Sequence, residues 1–302
     1  MSTEQRENLD AILRQSAFPA GISVSEQRRL LRELTAAQPL PADVSVTAGA
    51  LGGVPTAEIT IAGIEPRHAV LYFHGGVYVL GDAFAAADLA AQIGRRTGAR
   101  VLSVDYRLAP EHRYPAALHD AVAAVRYISA HAEAFGMDGA KLGVCGDSAG
   151  ATLATAACQA AARAGGPSLA LQLLICPILD YGGSTPSKRE FSSGYLVDQA
   201  TLDHDLMHYL PAGVDPATPD ISPLRAEDLA GMPPTLIHTA EFDPLRDEGR
   251  NYFERLTQAR NEVSYTCHPG MIHLFYGLGA VIPYARTAFE QIGGEIRAAL
   301  AN

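Results

Sequence analysis

The chain has 302 residues, 48% of them hydrophobic, with 33 acidic against 23 basic side chains and a formal net charge of −10. That length and apolar content suffice for one large α/β core, and the acidic balance argues against nucleic acid or an anionic membrane as a main partner, since either favours a basic face. The longest apolar runs, such as residues 171–179, are strand-sized and too short to cross a bilayer, and the opening residues lack the basic-then-apolar order of a signal peptide, so a cytoplasmic protein without membrane insertion is expected.

Residues 1–40 read as a helical appendage. Leu9, Ile12 and Leu13 share a helical face behind Ser2-Thr3-Glu4-Gln5, and Ser23 to Glu26 repeats the capping pattern before Leu30, Leu31 and Leu34, with Phe18-Pro19-Ala20-Gly21 as a break between them. From about residue 43 the pattern alternates through Val44, Val46, Ile59 and Ile61 like antiparallel edge strands. Strand-like runs at 69–73, 101–104, 142–145, 169–178 and 234–239 then alternate with helical ones at 116–134 and 151–164, which predicts a mostly parallel sheet with helices on both faces. An irregular stretch at about 181–222, rich in Phe191, Tyr195, Leu196, Leu206, Met207, Tyr209 and Leu210, interrupts that alternation. Residues 262–267 form a last short strand, followed by a loop from His268 to His273. An antiparallel edge or a terminal helix offers a surface for a homodimer. Cys145, Cys158, Cys176 and Cys267 each lie in apolar surroundings without a Cys-x-x-Cys pair, so they are expected as reduced core thiols.

The chemistry is concentrated at strand ends. Lys141 to Cys145 is a short apolar run entering Gly146-Asp147-Ser148-Ala149-Gly150, followed at once by an alanine-rich helix. Composition alone would yield a Gly-x-Ser-x-Gly somewhere in roughly one chain of this kind in ten, so the context matters: strand, sharp turn and helix in that order define a nucleophile elbow. Upstream, the strand at 69–73 runs into His74-Gly75-Gly76-Val77, where backbone amides could face a developing oxyanion together with Ala149. Downstream, Glu241, Asp243 and Asp247 compete as the acid beyond one strand, and His268 and His273 compete as the base beyond the next. Asp247 falls in the first turn of a helix, where a carboxylate also serves the helix terminus. The chain order is Ser, acid, His.

Four motifs, namely His74-Gly75-Gly76, Asp105-Tyr106-Arg107-Leu108-Ala109-Pro110-Glu111, Gly146-Asp147-Ser148-Ala149-Gly150 and Asp243-Pro244-Leu245-Arg246-Asp247-Glu248-Gly249 with His273 beyond, span the chain from about residue 70 onward. In these it resembles the hormone-sensitive-lipase-like (bacterial type IV) carboxylesterases of the α/β-hydrolase superfamily. The resemblance implies an α/β-hydrolase fold with a catalytic domain over 41–302 and a helical cap built from 1–40 and about 181–222. It implies hydrolysis of short- to medium-chain esters of small molecules, without metal or cofactor. It makes Ser148 the nucleophile, His273 the base and Asp243 its orienting acid. The oxyanion region is Gly75, Gly76, Val77 and Ala149, with the donors at Gly76, Val77 and Ala149. Phe18, Tyr78, Tyr195, Leu196 and Phe275 are the candidate substrate walls, although Phe18 and Ile22 could equally pack on the body of the protein. Val77 replaces the family's usual third glycine. Its β-branched side chain is expected to narrow the pocket, to resist a positive φ and to restrict bulky alcohol groups. Asp105, Arg107 and Glu111 are expected to hold a loop, His74 to fix the glycine loop, and Asp147 to stabilise the elbow. Amide or lactone hydrolysis on the same triad, or a non-catalytic small-molecule receptor of the same fold, are the alternatives. The complete Ser148, Asp243 and His273 set argues against the receptor.

Overall fold

A computed structural model describes residues 22–36, 40–66, 68–135, 141–278 and 282–301, together with Arg6, Glu7, Asp10, Ala11 and Leu13. Phe18 and most of the first expected helix lie outside the described residues. The second begins where its capping pattern placed it: α1 spans Val24–Ala36, and Ser23 Oγ accepts the Glu26 amide at 3.3 Å.

The sheet among the described residues has eight strands, β1 (Val44–Leu51), β2 (Val54–Ile61), β3 (Ala69–Phe73), β4 (Arg100–Val104), β5 (Leu142–Asp147), β6 (Leu171–Ile175), β7 (Thr235–Phe242) and β8 (Val263–Ile272), in the spatial order β1-β2-β4-β3-β5-β6-β7-β8. β1 and β2 form an antiparallel hairpin that joins β4 antiparallel, and every other pairing is parallel. Alternate side chains of the central strands enter different cores. Leu71, Phe73 and Val144 pack with α3 (Ala116–Ala130), α4 (Ala149–Arg163) and α7 (Arg246–Gln258); Val70, Tyr72 and Cys145 pack with α2 (Ala87–Thr97) and α8 (Pro283–Ala301). Both faces are therefore covered, which is why these strands read as continuous apolar runs rather than alternating ones. The 181–222 stretch contains two helices, α5 (Pro186–Glu190) and α6 (Gln199–Tyr209). No helix among the described residues is long and apolar enough to cross a membrane.

Two of the strand ends that differ from expectation have a clear local cause. β6 stops at Ile175 rather than at residue 178 because Cys176 takes φ 44° and Pro177 follows it. β8 continues through His268 and Pro269 to Ile272, with a shift in register against β7 between Ala240 and Phe242. As β8 is an edge strand, Pro269 can lie in it without breaking an inner ladder. The chain leaves β3 to one side for β4 and returns on its other side for β5, and at such a reversal in an open α/β sheet ligands bind beyond the carboxyl ends of the strands. The carboxyl ends of β3, β5, β7 and β8 deliver His74–Val77, Ser148, Asp243 and His273 to one place.

Candidate active site

Ser148 stands between β5 and α4 at φ 52°, ψ −121°, a conformation that costs a residue with a Cβ about 1–3 kcal/mol. Neighbouring backbone holds it there: Ser148 N–H donates to Ile175 O at 3.0 Å, and Ser148 O accepts Ala151 N–H at 3.1 Å. The flanking glycines are demanded by contact, since a Cβ on Gly146 would meet Gly150 O at 2.3 Å and one on Gly150 would meet Phe73 O at 2.0 Å.

Facing Ser148, His273 Nε2 lies 3.2 Å from Ser148 Oγ, and His273 Nδ1 lies 2.8 Å from Asp243 Oδ2. Asp243 Oδ1 accepts the Leu245 amide at 2.8 Å, so both carboxylate oxygens are held. Asp243 and His273 are fully buried and Ser148 nearly so. The competing residues are occupied elsewhere. Glu241 accepts the Gly270 amide, Asp247 accepts the Ser187 amide, and His268 lies within β8 opposite Ala240, where its Nε2 meets His238 Nδ1 at 3.1 Å.

Asp147 supports the elbow, as expected, and reaches further. Its carboxylate accepts the Gly75 amide at 2.9 Å, the Tyr276 hydroxyl at 3.1 Å and the Tyr72 hydroxyl, which ties the elbow, the glycine loop and the segment after His273 together. Burial raises its pKa from the usual carboxylate value, with the Tyr72 hydrogen bond opposing. Gly75 is thereby corrected as an oxyanion candidate: its N–H is spent on Asp147, which leaves the amides of Gly76, Val77 and Ala149. Val77 does adopt a positive φ, 50°, followed by Tyr78 at 65°. The expected resistance of a β-branched residue is overcome by the loop's own bonds, Val79 and Leu80 N–H to Gly76 O at 2.9 and 2.8 Å and Ala109 N–H to Tyr78 O at 2.8 Å.

The expected walls divide. Tyr78 is buried and stacks on Tyr209 of α6 with ring centroids 3.8 Å apart, so it fastens the loop to the 181–222 segment. Tyr195 stacks on Phe242, the residue before Asp243, and Leu196 beside it is half-buried. Phe275 is corrected: it is fully buried in the core against His268, Tyr276 and Tyr284, because the short 3₁₀ turn at Phe275–Leu278 points it under α8. His74 stacks on Tyr106, with its Nδ1 2.7 Å from Gly75 O; burial lowers its pKa, and it braces the glycine loop. Arg107 pairs with Asp120 at 2.8 Å, Asp105 accepts the Ala83 amide at 3.1 Å and Glu111 pairs with Arg28, so the charged motif holds loops as expected.

Two residues make contacts that no sequence pattern signals. Cys176, free like the other three cysteines, offers a sulfur that lies with atoms of Asp243 and His273 within 4.8 Å of one another. Burial, reinforced by the Asp243 charge, pushes its thiol well up, so it remains S–H beside the carboxylate. Glu248, on the helix that follows Asp243, is fully buried and meets Lys188 Nζ at 2.6 Å while accepting the Leu179 and Asp180 amides, which secures α5 to the body. Both are contacts between residues remote in sequence, which no local pattern encodes.

A serine at a strand–turn–helix elbow, a histidine in reach of its hydroxyl and a carboxylate behind that histidine, on a largely parallel sheet flanked by helices, define an α/β hydrolase. The chain matches the α/β hydrolase fold family over residues 70–277. It is 36% identical over 290 residues to the esterase LipI of Mycobacterium tuberculosis, covering 93% of this chain and 89% of that protein, and 38% identical over 218 residues to an ethyl acetate hydrolase of Pseudomonas putida, covering 72% and 69%. With the carboxylic ester hydrolase LipN of M. tuberculosis it shares 39% identity over 78% of this chain, a match that spans 64% of LipN. Among solved structures it is similar to an ester hydrolase from the Lake Arreo metagenome in complex with a bipyridine phosphonate derivative, with a TM-score of 0.91 and 32% identity over the whole of both chains. An esterase of the bacterial hormone-sensitive lipase family aligns with a TM-score of 0.90 and 30% identity over 99% of both chains. The protein belongs to the hormone-sensitive-lipase-like esterases of the α/β-hydrolase superfamily and is a carboxylic ester hydrolase.

Proposed function

We propose that the protein is a serine carboxylesterase acting on short- to medium-chain esters through Ser148, His273 and Asp243. The observation that carries this reading is the unbroken relay from Asp243 Oδ2 through the His273 ring to Ser148 Oγ, with steps of 2.8 and 3.2 Å. His273 Nε2 takes the hydroxyl proton as Ser148 Oγ bonds to the ester carbonyl carbon, and the carbonyl π electrons move to oxygen. Asp243 accepts from Nδ1, which fixes the tautomer that leaves Nε2 free to accept. The negative oxygen is held by the amides of Gly76, Val77 and Ala149, each such donor contributing on the order of 10²–10³ in kcat. Collapse expels the alkoxide, which takes the proton from His273, and water repeats the sequence on the acyl-enzyme.

Residues 1–40 and 181–222 form the cap in this reading, with Tyr195 and Leu196 in the second piece. The ethyl acetate hydrolase among the relatives supports a small acyl group. A panel of aryl esters of increasing acyl length, with an amide matched to the best ester, tests the assignment. Turnover is expected to peak at short or medium chains with the amide far slower. An amide turned over faster than any ester would replace the reading with an amide hydrolase.

A further inference from the structure

Arg28 of α1 uses its whole guanidinium on two loops of the catalytic body. Its Nε donates to Val79 O at 2.7 Å, its Nη2 donates to Ala109 O at 2.5 Å, and Nη1 and Nη2 each meet a Glu111 carboxylate oxygen at 3.0 Å. Glu111 is held below the usual carboxylate range by that pairing. The side chain of Arg28 is mostly buried, at 15% relative exposure, whereas Glu111 stands in solvent.

The two carbonyls it grips lie on loops that a backbone hydrogen bond already joins. Val79 lies two residues beyond Val77, and Ala109 donates its own N–H to Tyr78 O at 2.8 Å, so Arg28, Ala109 and the segment from Gly76 to Leu80 form one closed set of hydrogen bonds. Within it, Gly76, Val77 and Tyr78 run consecutively at φ 112°, 50° and 65°. For the two residues with a Cβ this left-handed backbone is unfavourable and persists only where the surroundings fix it. On the body, Gly76 O and the Tyr78 ring anchor the loop's start and middle; Arg28 anchors its far end from outside the catalytic body.

We propose that Arg28 is a positioning residue that locks the left-handed Gly76–Tyr78 turn, so that docking of the N-terminal helix sets the aim of the oxyanion-binding amides. This rests on the reading that the Gly76 and Val77 amides receive the oxyanion. Loss of the brace lets the turn relax and withdraws donors from the tetrahedral oxygen while leaving ester binding largely intact, and a misplacement of about 1 Å can cost on the order of 10² in rate.

The test compares an aryl acetate with its thiono counterpart, in which sulfur replaces the carbonyl oxygen and accepts hydrogen bonds poorly, in wild type, Arg28→Ala and Arg28→Lys. Wild type is expected to prefer the oxo ester by on the order of 10²–10³ in kcat/KM, the worth of one oxyanion donor. Both variants are expected to lose most of that preference through kcat on the oxo ester, with KM little changed. Lysine keeps the charge and the stem but lacks the fork that reaches both carbonyls, and it decides the matter where the alanine variant folds poorly. Millimolar guanidinium is expected to return part of the preference to Arg28→Ala, an effect that a general loss of stability would not show. A preference in Arg28→Lys equal to that of wild type overturns the role of Arg28 while leaving the oxyanion hole standing. A wild-type enzyme indifferent to the thiono exchange overturns the hole itself, and with it anything for Arg28 to position.

Discussion

His268 and His273 lie near the end of the same strand, both fully buried and both hydrogen-bonded at each ring nitrogen. Each also belongs to a relay that begins at a carboxylate. One runs from Asp243 through His273 to Ser148; the other runs from Glu295 through His238 and His268 to the Tyr284 hydroxyl, with steps of 3.1, 3.1 and 3.2 Å. The difference lies in where each relay ends and in the backbone around it. The second ends on the Tyr284 phenol at the start of α8, among regular strand and helix. The first ends on a hydroxyl lifted out at an elbow, and five of the seven non-glycine residues with positive φ among the described residues, Val77, Tyr78, Ser148, Cys176 and Leu274, surround it. On the proposed assignment, a buried carboxylate–histidine pair by itself is a poor marker of catalysis. Strained backbone converging on one hydroxyl is the feature that sets the proposed site apart.

Substitutions should separate the two relays by orders of magnitude. Ser148→Ala and His273→Ala are each expected to lose about 10³–10⁶ in kcat with the fold retained, and Asp243→Asn about 10⁴, because the three act as a unit. Circular dichroism alongside ester kinetics checks both halves of that statement. Near-normal turnover in His273→Ala would move the base elsewhere.

His268→Gln is expected to keep most of its activity and to change stability instead. Burial, aided by His238, pushes His268 down to about 4. Since the unfolded chain takes up a proton at the ordinary histidine pKa while the folded protein refuses it until about pH 4, this group's contribution is complete at neutral pH and is lost as pH falls between those values. Melting temperatures recorded from neutral pH down to pH 4.5 or so should fall less steeply in His268→Gln than in wild type. Equal slopes would contradict the assignment of a buried neutral imidazole.

The smallest effect is expected from Val77→Gly. It keeps the N–H while removing the β-branched side chain, so kcat/KM for a bulky-alcohol ester should rise relative to an aryl acetate. Glycine also frees the loop, which costs some preorganisation on both substrates, and for that reason the ratio is the quantity to measure. A constant or falling ratio would show that Val77 does not face the alcohol group.

The candidate site was legible in the sequence where its geometry is local. Gly146 to Gly150 announces an elbow because only glycine fits the helix–strand contact, and the order of Ser148, Asp243 and His273 follows from the order of strand ends. Ser23 capped α1 where its pattern said it would. What the sequence could not carry was partnership across the fold. His268 was a genuine competitor until the register of β8 against β7 fixed it opposite Ala240, and that register depends on an edge strand tolerating Pro269. Gly75 belongs to the expected oxyanion region, yet its amide goes to Asp147, a partner that no local pattern reveals. Phe275 followed the base closely enough to pass for a substrate wall, yet the turn after His273 aims it into the core. Arg28, Cys176 and Lys188 act on residues far away in the chain, and nothing in their neighbours signals it.

The central claim, that Ser148 is the nucleophile activated by His273, is tested most directly by treating wild type, Ser148→Ala and His268→Gln with a fluorophosphonate and reading adducts by intact-mass and peptide mass spectrometry. One adduct per chain is expected on the peptide containing Ser148 in wild type and His268→Gln, with loss of esterase activity in proportion to labelling, and none in Ser148→Ala. Full-rate labelling of Ser148→Ala, or wild-type activity that survives complete modification of Ser148, would contradict it.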